Sequence, residues 1–310
     1  MNWLLRCVCG VALAGLAGGH IAAETASTFT VATYNLENYV DVDGGGRVAK
    51  PAEARAKIRE SIRAMKPDVL AVQEIGTTNT LLELRASLKV EGLDFPHWEY
   101  VRGSDTNIAI GLLSRYPIAA RRPHPRESFL LLGRRHRVSR GFLEVDIQVT
   151  PRYSFTLFNA HLKSRRPIPN ADQAELRAQE AILLRKHVDA LLEARPKANL
   201  VVLGDFNDTK DSVTLQTLLG KRPRALVDTR PAERNGDNAP SPNPRWDARH
   251  ITWTHFYGTA DSYDRVDYIL ISSAMAREWD RAGSYVLALP NWGVASDHRP
   301  VIARFHAEDR

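Results

Sequence analysis

Residues 200–208 read Leu-Val-Val-Leu-Gly-Asp-Phe-Asn-Asp, a short apolar run that ends in a polar cluster. Four consecutive apolar residues followed by glycine indicate a strand that is buried on both faces. Val69-Leu70-Ala71-Val72, followed by Gln73-Glu74, shows the same arrangement. If such strands lie in one sheet, carboxylates and amides from distant parts of the chain meet along one rim of it.

Further strand-like runs and a few helical segments fill most of the chain. The strand patterns cover Phe29–Tyr34, Ile108–Leu113, Gly141–Val149, Tyr153–Ala160, Val266–Ile271 and Val301–Phe305. Helices are predicted from Pro51, over Thr80–Leu88 and from about Ala171 to Ala194, the last capped by Asn170 or Asp172. Uniformly apolar strands mixed with alternating ones favour an α/β or α+β sandwich, in which sheets pack on each other under outer helices.

Two long segments carry no hydrophobic period. Residues 121–140 contain nine arginines and histidines and are interpreted as a basic loop, and residues 230–250 are rich in Pro, Asn, Asp and Arg. The chain shows no internal repeat and no composition break. We therefore expect residues 24–310 to form one catalytic domain.

The first 23 residues resemble a secretion signal. A short n-region with Arg6 precedes an apolar stretch from Cys7 to Ala17, and Ile21-Ala22-Ala23 offers small residues before a cleavage point. The apolar stretch is shorter than the ~20 residues that a membrane span needs. We predict export to the periplasm or beyond after cleavage near Ala23. Cys7 and Cys9 are the only cysteines in the sequence, so the mature chain would lack disulfides and cysteine zinc sites.

The charge balance of the 310-residue chain is basic. Its formal net charge is +6, and removal of the signal, which contains Arg6 and no acid, leaves +5. A positive surface suits a polyanion such as nucleic acid or an anionic membrane, although a merely soluble basic surface gives the same number.

Oxygen-bearing side chains predict a site for a hard cation. Asn35 and Glu37 are two apart after one strand, so they would point the same way if the chain stayed extended, and Glu74 follows another. With Asp297, in the stretch Ser296-Asp297-His298-Arg299-Pro300-Val301, they make three carboxylates and one amide. Such ligands suit Mg²⁺ or Mn²⁺ better than Zn²⁺, and we expect one essential site.

Histidines and a second acidic pair suggest hydrolytic chemistry. Asp205 can orient or deprotonate a water, while Asn207 can donate to a phosphate oxygen. His161 and His298 each stand beside a strand-like run, and Asp267 is a plausible carboxylate partner for His298. A calcium loop over 205–216 is rejected because Lys210 stands where that loop needs glycine.

In this order the motifs resemble the endonuclease/exonuclease/phosphatase superfamily, over about residues 29–306. The resemblance rests on Asn35 and Glu37, Gln73-Glu74, His161, Gly204-Asp205-Phe206-Asn207, Asp267 and Ser296-Asp297-His298. It is to the secreted, deoxyribonuclease-like members rather than to abasic-site enzymes, which would have Tyr at His161. The resemblance implies a four-layered fold, with two mixed, mostly antiparallel sheets face to face and helices outside.

The resemblance also implies Mg²⁺-dependent hydrolysis of a phosphoester. Glu74 would be the principal metal ligand, helped by Asn35, Glu37 and Asp297. Asp205 would align the attacking water, and Asn207 would contact the phosphate. Asp267 would orient His298 toward the scissile group, while His161 or water at the metal would protonate the leaving oxygen.

Three hypotheses about the substrate remain open. A nuclease is favoured by export and by loop arginines, with Arg140 and Lys163 as phosphate-binding candidates. Trp253, Phe256, Tyr257 and Trp292 could stack on bases or a lipid edge, although core packing is expected for at least two of them. A phospholipid, sphingomyelin or small-molecule phosphoesterase is the second hypothesis, with Phe129–Leu132 as its one local candidate for membrane contact, unless these four apolar residues form a short strand instead. A non-catalytic binding module is the third. No protein partner is implied, and we expect a monomer.

Overall fold

The computed structural model describes residues 28–169, 171–234 and 253–309. The predicted signal, the alternative helix cap Asn170 and most of the 230–250 segment lie outside the described residues. Within the described ranges, no helix has the length and apolar character to cross a membrane.

The described residues form sixteen strands and five α-helices. The strands are β1 (Thr28–Tyr39), β2 (Val69–Ile75), β3 (His97–Val101), β4 (Ala109–Ser114), β5 (Ile118–Arg121), β6 (Ser128–Leu131), β7 (Arg134–Arg137), β8 (Phe142–Thr150), β9 (Tyr153–His161), β10 (Leu200–Asp205), β11 (Val227–Asp228), β12 (His255–Tyr257), β13 (Ser262–Asp264), β14 (Asp267–Ile271), β15 (Trp279–Val286) and β16 (Val301–His306). The helices are α1 (Ala52–Met65), α2 (Thr78–Val90), α3 (Gln173–Ala194), α4 (Val213–Leu219) and α5 (Met275–Glu278).

Two six-stranded mixed sheets form the centre of the fold. The first has the order β15-β16-β1-β2-β4-β3, and the second has the order β11-β14-β10-β9-β8-β5. Only β1 with β2 and β9 with β10 run parallel, and the other pairs within the two sheets are antiparallel. The two central parallel pairs therefore bring four strand ends to one rim, which is the rim that carries the polar clusters.

Side-chain alternation divides the core into three apolar layers. Along β2, Val69 and Ala71 face the cluster between the sheets, whereas Leu70 and Val72 pack with α1 and α2 residues on the outside. Along β10, Val201 and Leu203 face inward, while Leu200 and Val202 pack against α3 and α4. Both faces of each strand are buried, which explains their uninterrupted apolar sequences. The four-layered sandwich expected from the sequence is confirmed.

Most of the predicted elements are present, with small shifts at their ends. The helix from Pro51 buries Ile58, Ile62 and Met65 as its spacing predicts, and Asp172 caps α3 through Ala174 N. The strand pair β8–β9 turns at the predicted place. The interpretation of residues 121–140 as a loop is wrong, because they include the antiparallel hairpin β6–β7. β7 is basic and mostly exposed, and β6 is a four-residue segment in which only Phe129 is buried, so neither strand shows a hydrophobic alternation long enough to detect.

Buried amides join the two sheets below the rim. Gln73 Nε2 donates to Asn159 Oδ1 at 2.8 Å, and Asn159 Nδ2 donates to the carbonyls of Gly111 and Val72 at 2.9 and 3.2 Å. Both side chains are fully buried. A buried amide without partners would cost stability, so these bonds fix one register between the sheets and hold the strand ends above them in place.

Candidate active site

The predicted polar residues lie at the ends of the central strands. Asp205, the last residue of β10, is opposite His161 of β9 on one side and Asp267 of β14 on the other. Asn35 of β1 is opposite Gln73 of β2, directly before Glu74. Asp297 and His298 reach the same rim from the segment that precedes β16. The two sheets thus each supply half of one cleft.

The backbone leaves the extended conformation where several site residues stand. Glu37, Glu74 and Asn207 all have positive φ, at 44°, 59° and 55°. The pairing of β1 with β2 shifts register after Asn35, and that of β2 with β4 shifts around Glu74. The condition under which Asn35 and Glu37 would point the same way, an extended chain through both residues, is therefore not met at Glu37. Bulges of this kind re-aim side chains at sheet rims, at a cost of order 1–3 kcal/mol for each strained residue.

A buried histidine–carboxylate pair forms the floor of the cleft. His298 Nδ1 lies 2.8 Å from Asp267 Oδ2, and both side chains are almost fully buried. Burial disfavours the imidazolium, but the Asp267 carboxylate outweighs it and raises the pKa of His298 well above its ordinary value. Its other nitrogen, Nε2, lies 3.8 Å from Asp205 Oδ2 and 3.8 Å from Asp297 Oδ1. His298 can therefore carry a positive charge into the cleft at neutral pH.

Asp205 is held by amide donors at the centre of the cleft. Its Oδ2 accepts from Asn35 Nδ2 at 2.9 Å and from Asn207 Nδ2 at 3.2 Å, and its Oδ1 accepts from Asn207 N at 2.8 Å. Burial, opposed by the charge of His298 and reinforced by Asp267, raises the pKa of Asp205 to about 6. A fixed carboxyl whose pKa is near neutrality can orient a water and accept its proton.

His161 is fully buried beside Asp205 and Glu74. Its Nε2 lies 3.4 Å from Asp205 Oδ2 and 3.9 Å from Glu74 Oε1, while Nδ1 has no hydrogen-bond partner among the described residues. Burial, and then the charges of Arg140 and His298, hold the pKa of His161 well below its ordinary value. A neutral imidazole is a hydrogen-bond donor or acceptor rather than a proton source, so the structure favours polarisation of an oxygen over its protonation by this residue.

The carboxylates expected to bind a metal ion are matched with cations from the 41–50 segment. Lys50 Nζ lies 3.4 Å from Glu37 Oε2, and Arg47 Nη1 lies 3.3 Å from Glu74 Oε2. Burial and the nearby Asp297 raise the pKa of Glu37. Burial also lowers the pKa of Lys50, despite the attraction of Glu37. Neither lysine nor arginine was expected here, because nothing in the sequence around Arg47 and Lys50 indicates a site.

A further histidine, also missed in the sequence, lies next to Asp297. His255 Nε2 is 3.6 Å from Asp297 Oδ2, and the His255 and His298 rings are 4.5 Å apart between centroids. The backbone bridge between His255 and His298 produces this contact. Burial alone would raise the pKa of Asp297, but the hydrogen bond with His255 and the charge of His298 lower it overall.

The donor set fits a divalent cation. Of the residues that the structure describes, five carboxylates line the cleft, against three cationic side chains, Arg47, Lys50 and His298. Asp297 Oδ1 is buried without a hydrogen-bond partner among the described residues. The cleft contains two groups of three ligand-type side chains, His255–Asp297–His298 and Asp205–Asp267–His298. Within each group, one ligand atom from each residue lies within 4.8 Å of the other two. Glu37 and Glu74 lie at its edge, and the excess negative charge matches a dication.

The two predicted phosphate-binding residues lie along the wall formed by β9. Arg140 is buried, with Nε 3.5 Å from Asp105 Oδ2, and its charge acts on His161. Lys163 Nζ donates to the carbonyls of Ser164 and Arg166 in its own loop. Arg140 therefore contributes positive potential from behind the wall, whereas the Lys163 ammonium is satisfied locally.

The aromatic residues near the end of the chain form a half-exposed cluster beside the cleft. Trp253 packs edge-on against Trp292 and Tyr263, with centroids 5.2 and 4.9 Å apart, and Phe256 lies 4.8 Å from Tyr263. Phe256 N donates to the carbonyl of Asp297, which ties the cluster to the site. The expectation of core packing for at least two of the four predicted aromatics is wrong, because none of them belongs to the apolar core.

Comparisons with known proteins agree with this fold. Similar solved structures include an endonuclease/exonuclease/phosphatase from Beutenbergia cavernae, with 21% identity and a TM-score of 0.61, covering 91% of this chain and 72% of that chain. The human nocturnin catalytic domain with bound sulfate anion has 16% identity and a TM-score of 0.60, covering 91% and 95%. Truncated TDP2 of Caenorhabditis elegans has 14% identity and a TM-score of 0.59, covering 90% and 98%. At these identities the likeness concerns the fold.

Sequence comparison identifies the family. No curated protein matches the chain significantly. The profile of the Endonuclease/Exonuclease/phosphatase family matches residues 32–298, which include every predicted catalytic and metal-binding position. The chain therefore belongs to the endonuclease/exonuclease/phosphatase family of phosphoesterases.

Proposed function

We propose that the protein is an exported, Mg²⁺-dependent or Mn²⁺-dependent phosphodiesterase that hydrolyses nucleic acid. The observation that carries the proposal is the buried arrangement of Asp205 between His298 and His161, next to an acidic rim. This arrangement places a carboxyl group that can activate water, Asp205, and a charged imidazole that can bind phosphate, His298, in one cleft.

Each side chain has a distinct part in the proposed reaction. Asp205, fixed by Asn35 and Asn207, would align the attacking water and accept its proton. His298, kept charged by Asp267, would stabilise negative charge on the phosphate oxygens, and Asn207 would donate to one of them. His161 would donate a hydrogen bond to the departing oxygen.

The metal ion would be held on the acidic side of the cleft. Glu74, Glu37, Asn35 and Asp297 are the oxygen donors available there. When bound, the ion would neutralise phosphate oxygens as a Lewis acid. Arg47 and Lys50, which pair with Glu74 and Glu37, are also anchored by the Asn38 side chain and the Ala295 carbonyl, so they would stay at this edge of the cleft as positive charges for the substrate.

An arginine-lined groove supports nucleic acid as the substrate. A cavity of about 680 Å³ is lined by four arginines and, in the part of the chain that the structure describes, by no acidic side chain; the arginines are Arg102, Arg126, Arg135 and Arg137. Among the described residues, neither Arg126 nor Arg137 forms an ion pair. Arg102 Nη2 donates to the carbonyl of Gly76 at 2.7 Å, two residues beyond Glu74, so one arginine of the groove is held near the strand end that carries Glu74. Unpaired arginines along such a path suit a phosphate backbone that extends past the scissile bond. Nocturnin, which has a similar fold, binds a sulfate anion in its solved structure.

A phospholipid substrate is the second candidate, and the hairpin β6–β7 is the feature that favours it. Leu130 and Leu132 are 65% and 82% exposed at the hairpin, beside Arg134 and Arg135. Exposed leucines flanked by arginines can enter the interface of an anionic membrane. The same arginines serve either substrate, so the leucines distinguish the two candidates.

One set of assays separates the candidates. The mature protein is incubated with plasmid DNA, RNA, sphingomyelin vesicles and a generic phosphodiester, first with Mg²⁺ and then with EDTA. We expect EDTA-sensitive nicking of plasmid, at least tenfold loss in the double variant Arg126→Gln/Arg137→Gln, and no change in Leu130→Ser/Leu132→Ser. Turnover of vesicles alone, lost in the leucine variant, would select the phospholipid candidate.

Asp205→Asn tests the chemistry independently of the substrate. This variant replaces the carboxylate by an amide of the same size, and its rate should fall at least a hundredfold on every substrate that the native protein hydrolyses. Asp211→Asn, an exposed aspartate on the same loop, is the matched control and should keep full activity. Near-normal hydrolysis by Asp205→Asn would contradict the assignment.

A further inference from the structure

A second group of metal-ligand side chains lies outside the cleft. His124 and Glu127 precede the hairpin β6–β7, and His187 projects from the middle of α3. One ligand atom from each can be chosen so that all three lie within 4.8 Å of one another. The group stands on the helix-covered face of the second sheet, where His124 stacks on Phe158 and His187 packs edge-on against Phe142. It shares no residue with the catalytic cleft.

The distances are those of a coordination site that is nearly formed. His187 Nε2 lies 3.3 Å from Glu127 Oε1, and His124 Nδ1 lies 3.9 Å from the same oxygen. Bonds of about 2.0–2.2 Å in a tetrahedron place ligand atoms roughly 3.3–3.6 Å apart. The two imidazole centroids are only 3.9 Å apart, a contact that would be repulsive if both rings were protonated.

The surroundings supply the outer partner that metal-binding histidines usually have. His124 Nε2 lies 2.8 Å from Glu144 Oε2, which leaves Nδ1 as the atom directed to Glu127. A carboxylate on the far nitrogen fixes the tautomer and the orientation of a histidine ligand. Arg122 holds Glu144 in turn.

We propose that His124, Glu127 and His187 bind a divalent transition-metal ion of the Zn²⁺ class. Two imidazoles and one carboxylate suit Zn²⁺, Ni²⁺ or Cu²⁺, whereas Mg²⁺ requires oxygen ligands. The ion connects the segment before the hairpin to α3. It therefore fastens the base of the arginine-bearing arm 121–140 without taking part in the chemistry of the cleft.

Zinc stoichiometry tests the proposal. The mature protein is stripped with chelator, saturated with Mg²⁺ to occupy the cleft, and titrated with Zn²⁺, with bound zinc measured by mass spectrometry after gel filtration. His187→Gln and Glu127→Gln should each lose one equivalent, and Glu144→Gln should bind at least tenfold more weakly. His97→Gln, a half-buried histidine on β3, is the matched control and should bind normally. His255→Gln reports zinc that enters the cleft instead.

Trypsin provides a second measurement that needs no enzymatic activity. Arg134, Arg135 and Arg137 are exposed on the hairpin, so bound Zn²⁺ should slow cleavage there in the native chain and in His97→Gln but not in His187→Gln. Mg²⁺ alone should give no protection. Equal zinc content in the native chain and in both His187→Gln and Glu127→Gln, or loss of the equivalent only in His255→Gln, would overturn the proposal. Circular dichroism identifies a variant that fails to fold. If either His187→Gln or Glu127→Gln is misfolded, the zinc content of the other variant tests the proposal.

Discussion

Replacing Asp267 by Asn tests whether the buried pair with His298 serves catalysis. The substitution keeps the size of the side chain but removes the negative charge 2.8 Å from His298 Nδ1. Because Asp267 is the largest influence that raises the pKa of His298, its removal leaves burial as the main effect and lowers that pKa. His298 would then be neutral at pH 7, or held in the wrong tautomer by the new amide.

The structure gives the size of the expected loss. A charge-assisted hydrogen bond contributes about 1.5–3 kcal/mol, and a buried group left without its partner costs about 1–3 kcal/mol. Both penalties apply here, since His298 and Asp267 are almost fully buried. About 4 kcal/mol of lost transition-state stabilisation corresponds to roughly 10³-fold in kcat, because each 1.36 kcal/mol is tenfold.

The assay compares kcat and KM on the best substrate for the native protein, Asp267→Asn and Asp264→Asn. Asp264 lies three residues earlier and pairs with the half-exposed Arg165 at 2.5 Å, so its loss should change kcat less than threefold. The His298 titration, followed by NMR, should move to lower pH only in Asp267→Asn. If that variant keeps kcat within tenfold of native and His298 titrates unchanged, the dyad has no catalytic role.

Three further predictions concern stability and metal binding. Gly204→Ala should destabilise the fold by at least about 3 kcal/mol in chemical denaturation, because φ is +134° and the new Cβ would lie 1.9 Å from the Ala160 carbonyl oxygen. Burial alone would raise the pKa of Asp146, but hydrogen bonds from Arg122 and Thr156 lower it overall. The stability that ionised Asp146 contributes is therefore present above the unfolded pKa of about 3.9 and is lost as pH falls through the lower folded pKa. Arg122→Met should reduce the dependence of the unfolding free energy on pH in this acid range. Lys50→Met removes the cation 3.4 Å from Glu37 and should tighten Mg²⁺ binding about tenfold by calorimetry, whereas an unchanged affinity would place the ion away from Glu37.

The part of the fold that the sequence predicts is the part buried on two faces. Val69–Val72 and Leu200–Leu203 have no polar residue because sheet and helix side chains cover both sides. Strands β3 and β15 were missed because their residues are mostly half-buried or exposed and mix polar with aromatic types. A short strand at Phe129–Leu132 was an open alternative, but its partner β7 was missed, because cross-strand pairing rather than a hydrophobic pattern defines that basic strand.

The residues of the candidate site also fall into a predicted group and a missed group. Residues at strand ends, such as Asp205 and His161, were found because an apolar run marks where each strand stops. Arg47, Lys50 and His255 were missed because they reach the cleft from segments whose path depends on tertiary contacts. Lys50, for example, is held by a bond from Nζ to the Ala295 carbonyl, 245 residues away in the sequence.

The burial of these ionisable groups is itself an argument for function. Asp205, Asp267, His161 and His298 are all nearly inaccessible, and burying charge on the two carboxylates and His298 costs several kcal/mol per ion, which mutual attraction only partly offsets. Apolar side chains of similar volume would serve stability better, and the apolar layers on both sides of each sheet are otherwise continuous. The pKa values of three of them are pushed apart, with that of His298 raised, that of His161 lowered and that of Asp205 raised to about 6. Structural ion pairs do not need one neutral and one charged imidazole beside the same carboxylate, whereas acid–base chemistry on a phosphoester does.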